Sequence, residues 1–285
     1  SGSLSKAWRI SLPFLVSSYL SPSRRQKCKE GGIFFLDLSG NVYLKHGGLN
    51  VEREGFRNLF PEKRSGRSPF SDKASLILRV MLDDVDKSWG VLELAQVVGL
   101  SPGFVSKMVK ELEKRHYVAS FEKKLKLKNP ESILEDWIHD YNYKKNREFK
   151  YFCLAKGPEE IMEKLRAADV PEDIEYVLSL QAGSQLVPPH SIYSEVHLYV
   201  SSKNDIDFFS RELNLKQVER GANLIFLLPY YRQSVFFGKQ KVKDLWVASN
   251  VQLYLDLYNY PTRGLEQAEH LYNRRLKKLF EGKEV

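Results

Sequence analysis

Cysteine is almost missing from this chain: Cys28 and Cys153 are the only two in 285 residues. Two thiols build neither a disulfide framework nor a cysteine-ligated zinc site, and a reducing cytoplasm is the expected compartment. No run reaches the roughly 18 apolar residues of a membrane span. Ile10 to Leu20 is too short and too polar for a signal peptide, and the Ser1-Gly2-Ser3 start reads as a cloning remnant. The six histidines (His46, His116, His139, His190, His197 and His270) form no pair at metal-binding helical spacing, so no metal or cofactor is expected. Repeats and low-complexity tracts are also absent. With 42% hydrophobic and 28% charged residues, a disordered or fibrous chain is excluded.

What is present is an uneven charge. Residues 1–128 carry 23 Lys/Arg against 13 Asp/Glu, whereas residues 129–285 carry 21 against 23. The listless overall charge of +8 therefore hides a basic front and a near-neutral back, and the front points to a polyanionic partner.

Residues 71–128 give the clearest pattern. Ser71 reads as an N-cap, with Asp72 in the first turn, of an apolar helix through Leu76, Ile77, Val80 and Met81. A second short helix holds Val91, Leu92, Leu94, Ala95 and Val98 and stops at Gly99. Ser101-Pro102 then supplies an N-cap and a first-turn proline for a third helix running to about Arg115. Two β-like runs, Tyr117–Phe121 and Leu125–Leu127, meet at Glu122-Lys123-Lys124. Helix, helix, tight turn, helix and basic hairpin is the order of a winged helix-turn-helix. Val105, Val109 and Leu112 would face the core. Ser101, Gly103, Ser106, Lys107 and Lys110 would face a DNA groove, and Lys123, Lys124 and Lys126 the phosphates beside the wing. Double-stranded DNA is the expected partner, with a homodimer on a palindrome left open. A winged helix that binds only protein is the alternative.

Before this unit, Ile33–Leu36 and Val42–Lys45 read as a hairpin turning at Ser39-Gly40-Asn41. Arg53, Arg57, Lys63, Arg64 and Arg67 read as a basic loop. Asp37 with Lys45 superficially suits a nuclease strand, but Tyr43 stands where the second acid belongs. After the unit, a helix opens at Asn129-Pro130. Strand candidates then follow at Tyr151–Ala155, Glu195–Val200, Asn223–Leu228, Val235–Phe237 and Leu245–Val247, alternating with helices that end in Gly264–Phe280. The expected fold is α+β: a small N-terminal α/β module with its linker (1–70), the winged helix (71–128), a connecting helix (129–150) and a larger C-terminal mixed α/β domain (151–285).

The back half carries a family likeness. Ala182-Gly183-Ser184, Glu195-Val196-His197-Leu198-Tyr199-Val200, Gly221-Ala222-Asn223 and Leu228-Pro229-Tyr230-Tyr231 contribute to it. So do Ser234-Val235-Phe236-Phe237-Gly238, the run from Val251 through Tyr258-Asn259-Tyr260-Pro261, Arg263-Gly264 and Gln267-Ala268-Glu269-His270. Over residues 71–285 the chain resembles AbiEi-type antitoxins, the transcriptional autoregulators of type IV toxin–antitoxin systems. The resemblance implies a winged-helix module, a larger C-terminal domain and a cognate toxin or other protein partner. About 70 residues precede the winged helix as an extra module.

One enzymatic alternative comes from spacing. Gly183-Ser184, ten residues, then Glu195-x-His197 matches a nucleotidyltransferase signature with His197 in place of the second carboxylate. Magnesium prefers oxygen ligands, so a degenerate nucleotide site without activity is expected. Cys153, between Phe152 and Leu154, reads as a buried structural thiol. Tyr254 and Tyr258 read as core aromatics, and Tyr230-Tyr231-Arg232 as a patch facing a partner.

Overall fold

The computed structural model describes residues 12–59, 68–187 and 193–281. Lys63, Arg64 and Arg67 of the basic loop, His190 and the Ser1-Gly2-Ser3 start lie outside the described residues. The chain divides into two compact units, residues 1–65 and 66–285.

The first unit runs β1 (Phe14–Ser17), α1 (Pro22–Glu30), β2 (Phe34–Asp37), β3 (Val42–His46) and β4 (Leu49–Arg53). The four strands form one sheet in sequence order, β1 parallel to β2 and the rest antiparallel. Asp37 holds the β2–β3 turn. Its carboxylate accepts from Leu20 N at 3.0 Å, Asn41 N at 3.0 Å and Asn41 Nδ2 at 2.8 Å. Burial pushes that carboxyl up, but these hydrogen bonds win and hold it below the ordinary range. Lys45 pairs instead with Glu52 at 3.6 Å, so no nuclease site assembles. The hairpin reading is borne out and extended. Gly47 and Gly48, at φ +56° and +86°, supply a two-residue turn into β4, which includes Arg53, expected in the loop.

In the second unit the helices come first: α2 (Asp72–Asp83), α3 (Val91–Val98) and α4 (Pro102–Lys114). The hairpin β5 (Val118–Phe121) and β6 (Lys124–Leu127) follows, then α5 (Pro130–Asp140). The remainder runs β7 (Arg147–Phe152), α6 (Pro158–Ala167), β8 (Tyr176–Ser179), α7 (Leu180–Leu186) and β9 (Val196–Val200). It continues with α8 (Lys203–Glu212), β10 (Lys216–Gln217), β11 (Leu224–Leu228), β12 (Gln240–Val242), β13 (Leu245–Val247), α9 (Asn250–Tyr258) and α10 (Gly264–Leu271). A π-turn over Tyr272–Leu276 joins α10 to α11 (Lys277–Phe280). The seven strands order as β10-β7-β11-β9-β8-β13-β12, with β11–β9 and β8–β13 parallel and the other pairs antiparallel. The fold class is α+β, as expected.

One hydrophobic core runs from Phe70 to Leu276, so the segments 71–128, 129–150 and 151–285 share it. The reason is α2, in which every residue from Ala74 to Leu82 is buried. A helix apolar on one stripe could lie on a surface; one buried all round must be sandwiched. At its start Ser71 makes no side-chain cap, contrary to expectation. Asp72 accepts from Gln233 N at 3.1 Å and Ser234 N at 2.9 Å, which fastens the helix to the segment before β12. That contact also overturns the strand expected at Val235–Phe237. Val235 and Phe236 are buried in a series of turns, with Phe237 N bonded to Ser234 O at 3.3 Å and Gly238 at φ +69°. The strand expected from Tyr151 begins at Arg147 instead, because β11 pairs with it as far as Leu228↔Arg147.

Candidate nucleic-acid interface and a polar cleft

α4 is built to present one face. Gly99 ends α3 at φ +64°, the left-handed turn that glycine adopts freely, and Leu100 N bonds back to Ala95 O at 3.0 Å. Ser101 Oγ then accepts from Phe104 N at 3.4 Å, and Pro102 occupies the first turn. Val105, Met108, Val109 and Leu112 are buried. The opposite face leaves Ser101, Gly103, Lys107 and Lys110 exposed and Ser106 half-buried.

The β5–β6 hairpin is anchored on its inner side. Val118, Leu125 and Leu127 are buried, and Trp89 joins as an edge bridge through Trp89 N to Leu125 O (2.8 Å) and Leu125 N to Trp89 O (2.7 Å). Lys123, Lys124 and Lys126 are exposed. Lys124 Nζ lies 3.7 Å from Glu93, which Lys87 also meets at 2.9 Å. Lys107, Lys110, Lys123 and Lys126 make no ion pair with any described residue. Four cations on one helix face and one hairpin thus remain without an acidic partner among the described residues.

The expected nucleotide site does not come together. Glu195 and His197 line a cleft of about 500 Å³ with Glu148, Lys150, Arg220 and Tyr260, but Gly183 and Ser184 do not line it. Ser184 Oγ is spent inside, on Gln181 O at 3.1 Å and Gln267 Oε1 at 3.3 Å. Gly183 serves packing, since a Cβ there would meet Leu178 O at 2.8 Å. His197 is 2% exposed, and burial pushes its imidazole down to about 4, against a smaller lift from the Glu195 backbone. It is neutral near pH 7. Its Nε2 lies 3.3 Å from Tyr260 Oη and 4.0 Å from Glu195, whose Oε2 also accepts from Tyr260 at 3.4 Å. Among the described residues no group of His, Cys, Asp and Glu is placed to hold a metal ion.

Sequence reasoning missed a buried polar network. Asp256 accepts from Ser179 Oγ (2.6 Å), Tyr141 Oη (2.5 Å), Tyr199 Oη (2.9 Å) and Gln252 Nε2 (2.9 Å). Gln252 Oε1 in turn accepts from Arg79 Nη2 at 2.6 Å, and the Arg79 guanidinium lies 5.1 Å from the Trp137 ring centre. Burial pushes the Asp256 carboxyl up against its four donors, and pushes Arg79 down. The available signal was one acid inside the apolar run Leu253-Tyr254-Leu255-Asp256-Leu257. Tyr230 and Tyr231 belong to this interior rather than to a partner-facing patch: Tyr231 Oη donates to Phe70 O, and Tyr230 Oη accepts from Asn142 N at 3.0 Å. Tyr254 and Tyr258 pack together with ring centres 5.7 Å apart, as expected. Cys153 is fully buried, and burial pushes its thiol up.

A family profile described as "Transcriptional regulator, AbiEi antitoxin, Type IV TA system" matches residues 126–277, and the chain belongs to that family. The match starts in β6, so it is narrower than the 71–285 expected, and α2, α3 and α4 lie outside it. No curated protein and no solved structure matches the chain. Among the described residues no helix is long and apolar enough to cross a membrane.

Proposed function

We propose that residues 71–128 are a winged helix-turn-helix that binds duplex DNA, and that the protein regulates transcription from the operator it reads. α4 would enter the major groove with Ser101, Gly103, Ser106, Lys107 and Lys110, and the hairpin would set Lys123, Lys124 and Lys126 along phosphates. The observation carrying this reading is the set of four exposed lysines without ion pairs, on elements whose other sides are buried. Family membership supports the regulatory role. The sheet behind would serve the antitoxin function toward a toxin or another protein partner. We assign no transferase activity to it, because Ser184 is held by Gln181 and Gln267.

Fluorescence anisotropy with a duplex from upstream of the protein's own gene, against a scrambled duplex and across salt, tests this. Preference for the upstream duplex and a steep loss with salt are expected. Replacing Lys107 and Lys110 together by alanine should lower the log–log salt slope by about 2 and leave the fold intact. Unchanged affinity in that folded double variant refutes the contact assignment.

A further inference from the structure

Phe121 is 76% exposed, between Ser120 and Glu122 and across from Lys124, at the tip of a hairpin that is otherwise tied down. The register places Val118 opposite Leu127 and Ser120 opposite Leu125 on the inner face, and Ala119 opposite Lys126 and Phe121 opposite Lys124 on the outer face. The inner face is fixed by burial and by the paired backbone bonds to Trp89. The turn itself is tight. Glu122 and Lys123 stand at φ +47° and +62°, the left-handed conformation that side-chain-bearing residues adopt only at a cost. The hairpin backbone therefore presents an exposed aromatic ring at its tip, next to Glu122 and close in register to Lys123 and Lys126, which form no ion pair with any described acid.

A surface that would cover both a flat apolar ring and two cations must be anionic at its edges and apolar between them. The base steps of duplex DNA between their phosphates have that character. The minor groove, about 6 Å wide, is too narrow for the ribbon but admits its tip. We infer that Phe121 is an apolar wedge that enters the minor groove beside the half-site read by α4 and partly unstacks one base step, with Lys123 and Lys126 on the flanking phosphates. This rests on the DNA-binding reading above. The wedge adds a selectivity that α4 lacks: pyrimidine–purine steps, which unstack easily, should be preferred at that position without any hydrogen bond to their bases.

The test uses the full chain and upstream duplexes carrying 2-aminopurine at successive flanking steps. Binding should raise the probe's emission severalfold at one step. Phe121→Ala should abolish that rise and weaken affinity about tenfold, with the salt slope and the melting temperature unchanged, since the ring packs on little. Phe121→Trp should restore binding, its own emission quenched by the duplex. The Lys107/Lys110 double alanine variant gives the opposite pattern, a lower slope with the emission rise retained at saturation. If Phe121→Ala keeps both the affinity and the emission rise, the wedge is overturned and DNA binding stands. If Phe121→Ala impairs only capture of a protein partner, the ring belongs to that interface and the wedge is equally overturned. If the wild-type chain binds no duplex at low salt, both readings fall together.

Discussion

Gly103 and Gly183 mark the contrast between the α4 front and the sheet behind it. A Cβ on Gly103 would meet nothing within 4 Å, whereas one on Gly183 would lie 2.8 Å from Leu178 O and 2.9 Å from Leu253 Cδ2. The first leaves space that something outside the chain can fill; the second closes space inside it. Charges divide the same way. The α4 face and the hairpin keep Lys107, Lys110, Lys123 and Lys126 at the surface, while Arg79 of α2 and Asp256 of α9 are drawn into the core that helix and sheet share. A motif read from sequence therefore means one thing where its residues are open and another where they are packed. By that standard the α4 face is a candidate interface, and Gly183-Ser184 is architecture.

The largest expected effect breaks the buried network while sparing the α4 face. Arg79→Ala should cost about 3–5 kcal/mol in urea unfolding, because it strips Gln252 Oε1 and the Trp137 face of their cation and leaves Asp256 buried without that compensating charge. DNA affinity, counted per folded molecule, should not change. A loss under 1 kcal/mol would show that the network does not hold α2 to the sheet.

Next comes acid. His197 binds its proton more weakly in the fold, at about 4 against an ordinary 6.5. Unfolding therefore takes up a proton between those values, so stability is full above pH 6.5 and drains as pH falls to 4, by about 3 kcal/mol in all. His197→Phe should flatten the unfolding free energy across that window. An unchanged slope would assign the acid sensitivity to other groups. Gly183→Ala follows, with an expected loss of about 1–3 kcal/mol from overpacking against Leu178 and Leu253, and no change in DNA affinity.

Much of the front was legible because its signals are local. Gly99, Ser101-Pro102 and the apolar spacing of Val105, Val109 and Leu112 each act within a turn or two of chain. What escaped depends on distant partners. Val235-Phe236-Phe237 has the composition of a strand, but Asp72, far away in sequence, takes the backbone N–H groups of Gln233 and Ser234 and turns the chain. Arg79 carries no local signal of its role, which depends on α2 being buried on every side and on Gln252, far away in sequence. Gly183-Ser184 and Glu195-x-His197 keep a transferase spacing, yet the spacing says nothing of Ser184 facing Gln267. The antitoxin likeness was legible for a different reason: its residues lie within the matched stretch, and three of them, Tyr199, Gln252 and Asp256, belong to the buried network.

The smallest effect sharpens the contrast most. Gly103 sits in the first turn of α4 with open space at its Cα, so Gly103→Ala should stabilise the free protein by up to about 1 kcal/mol through lower chain entropy and better helix propensity. No described residue lies within 4 Å of the added methyl. If a sugar–phosphate backbone or base edge approaches that turn, the same methyl collides with it, and affinity for the upstream duplex should fall severalfold while the salt slope stays constant, since no cation is lost. Opposite signs in thermal unfolding and anisotropy would locate the duplex at the α4 N-terminus. Stabilisation with unchanged binding would move the contact toward Lys107 and Lys110, one to two turns further along the helix.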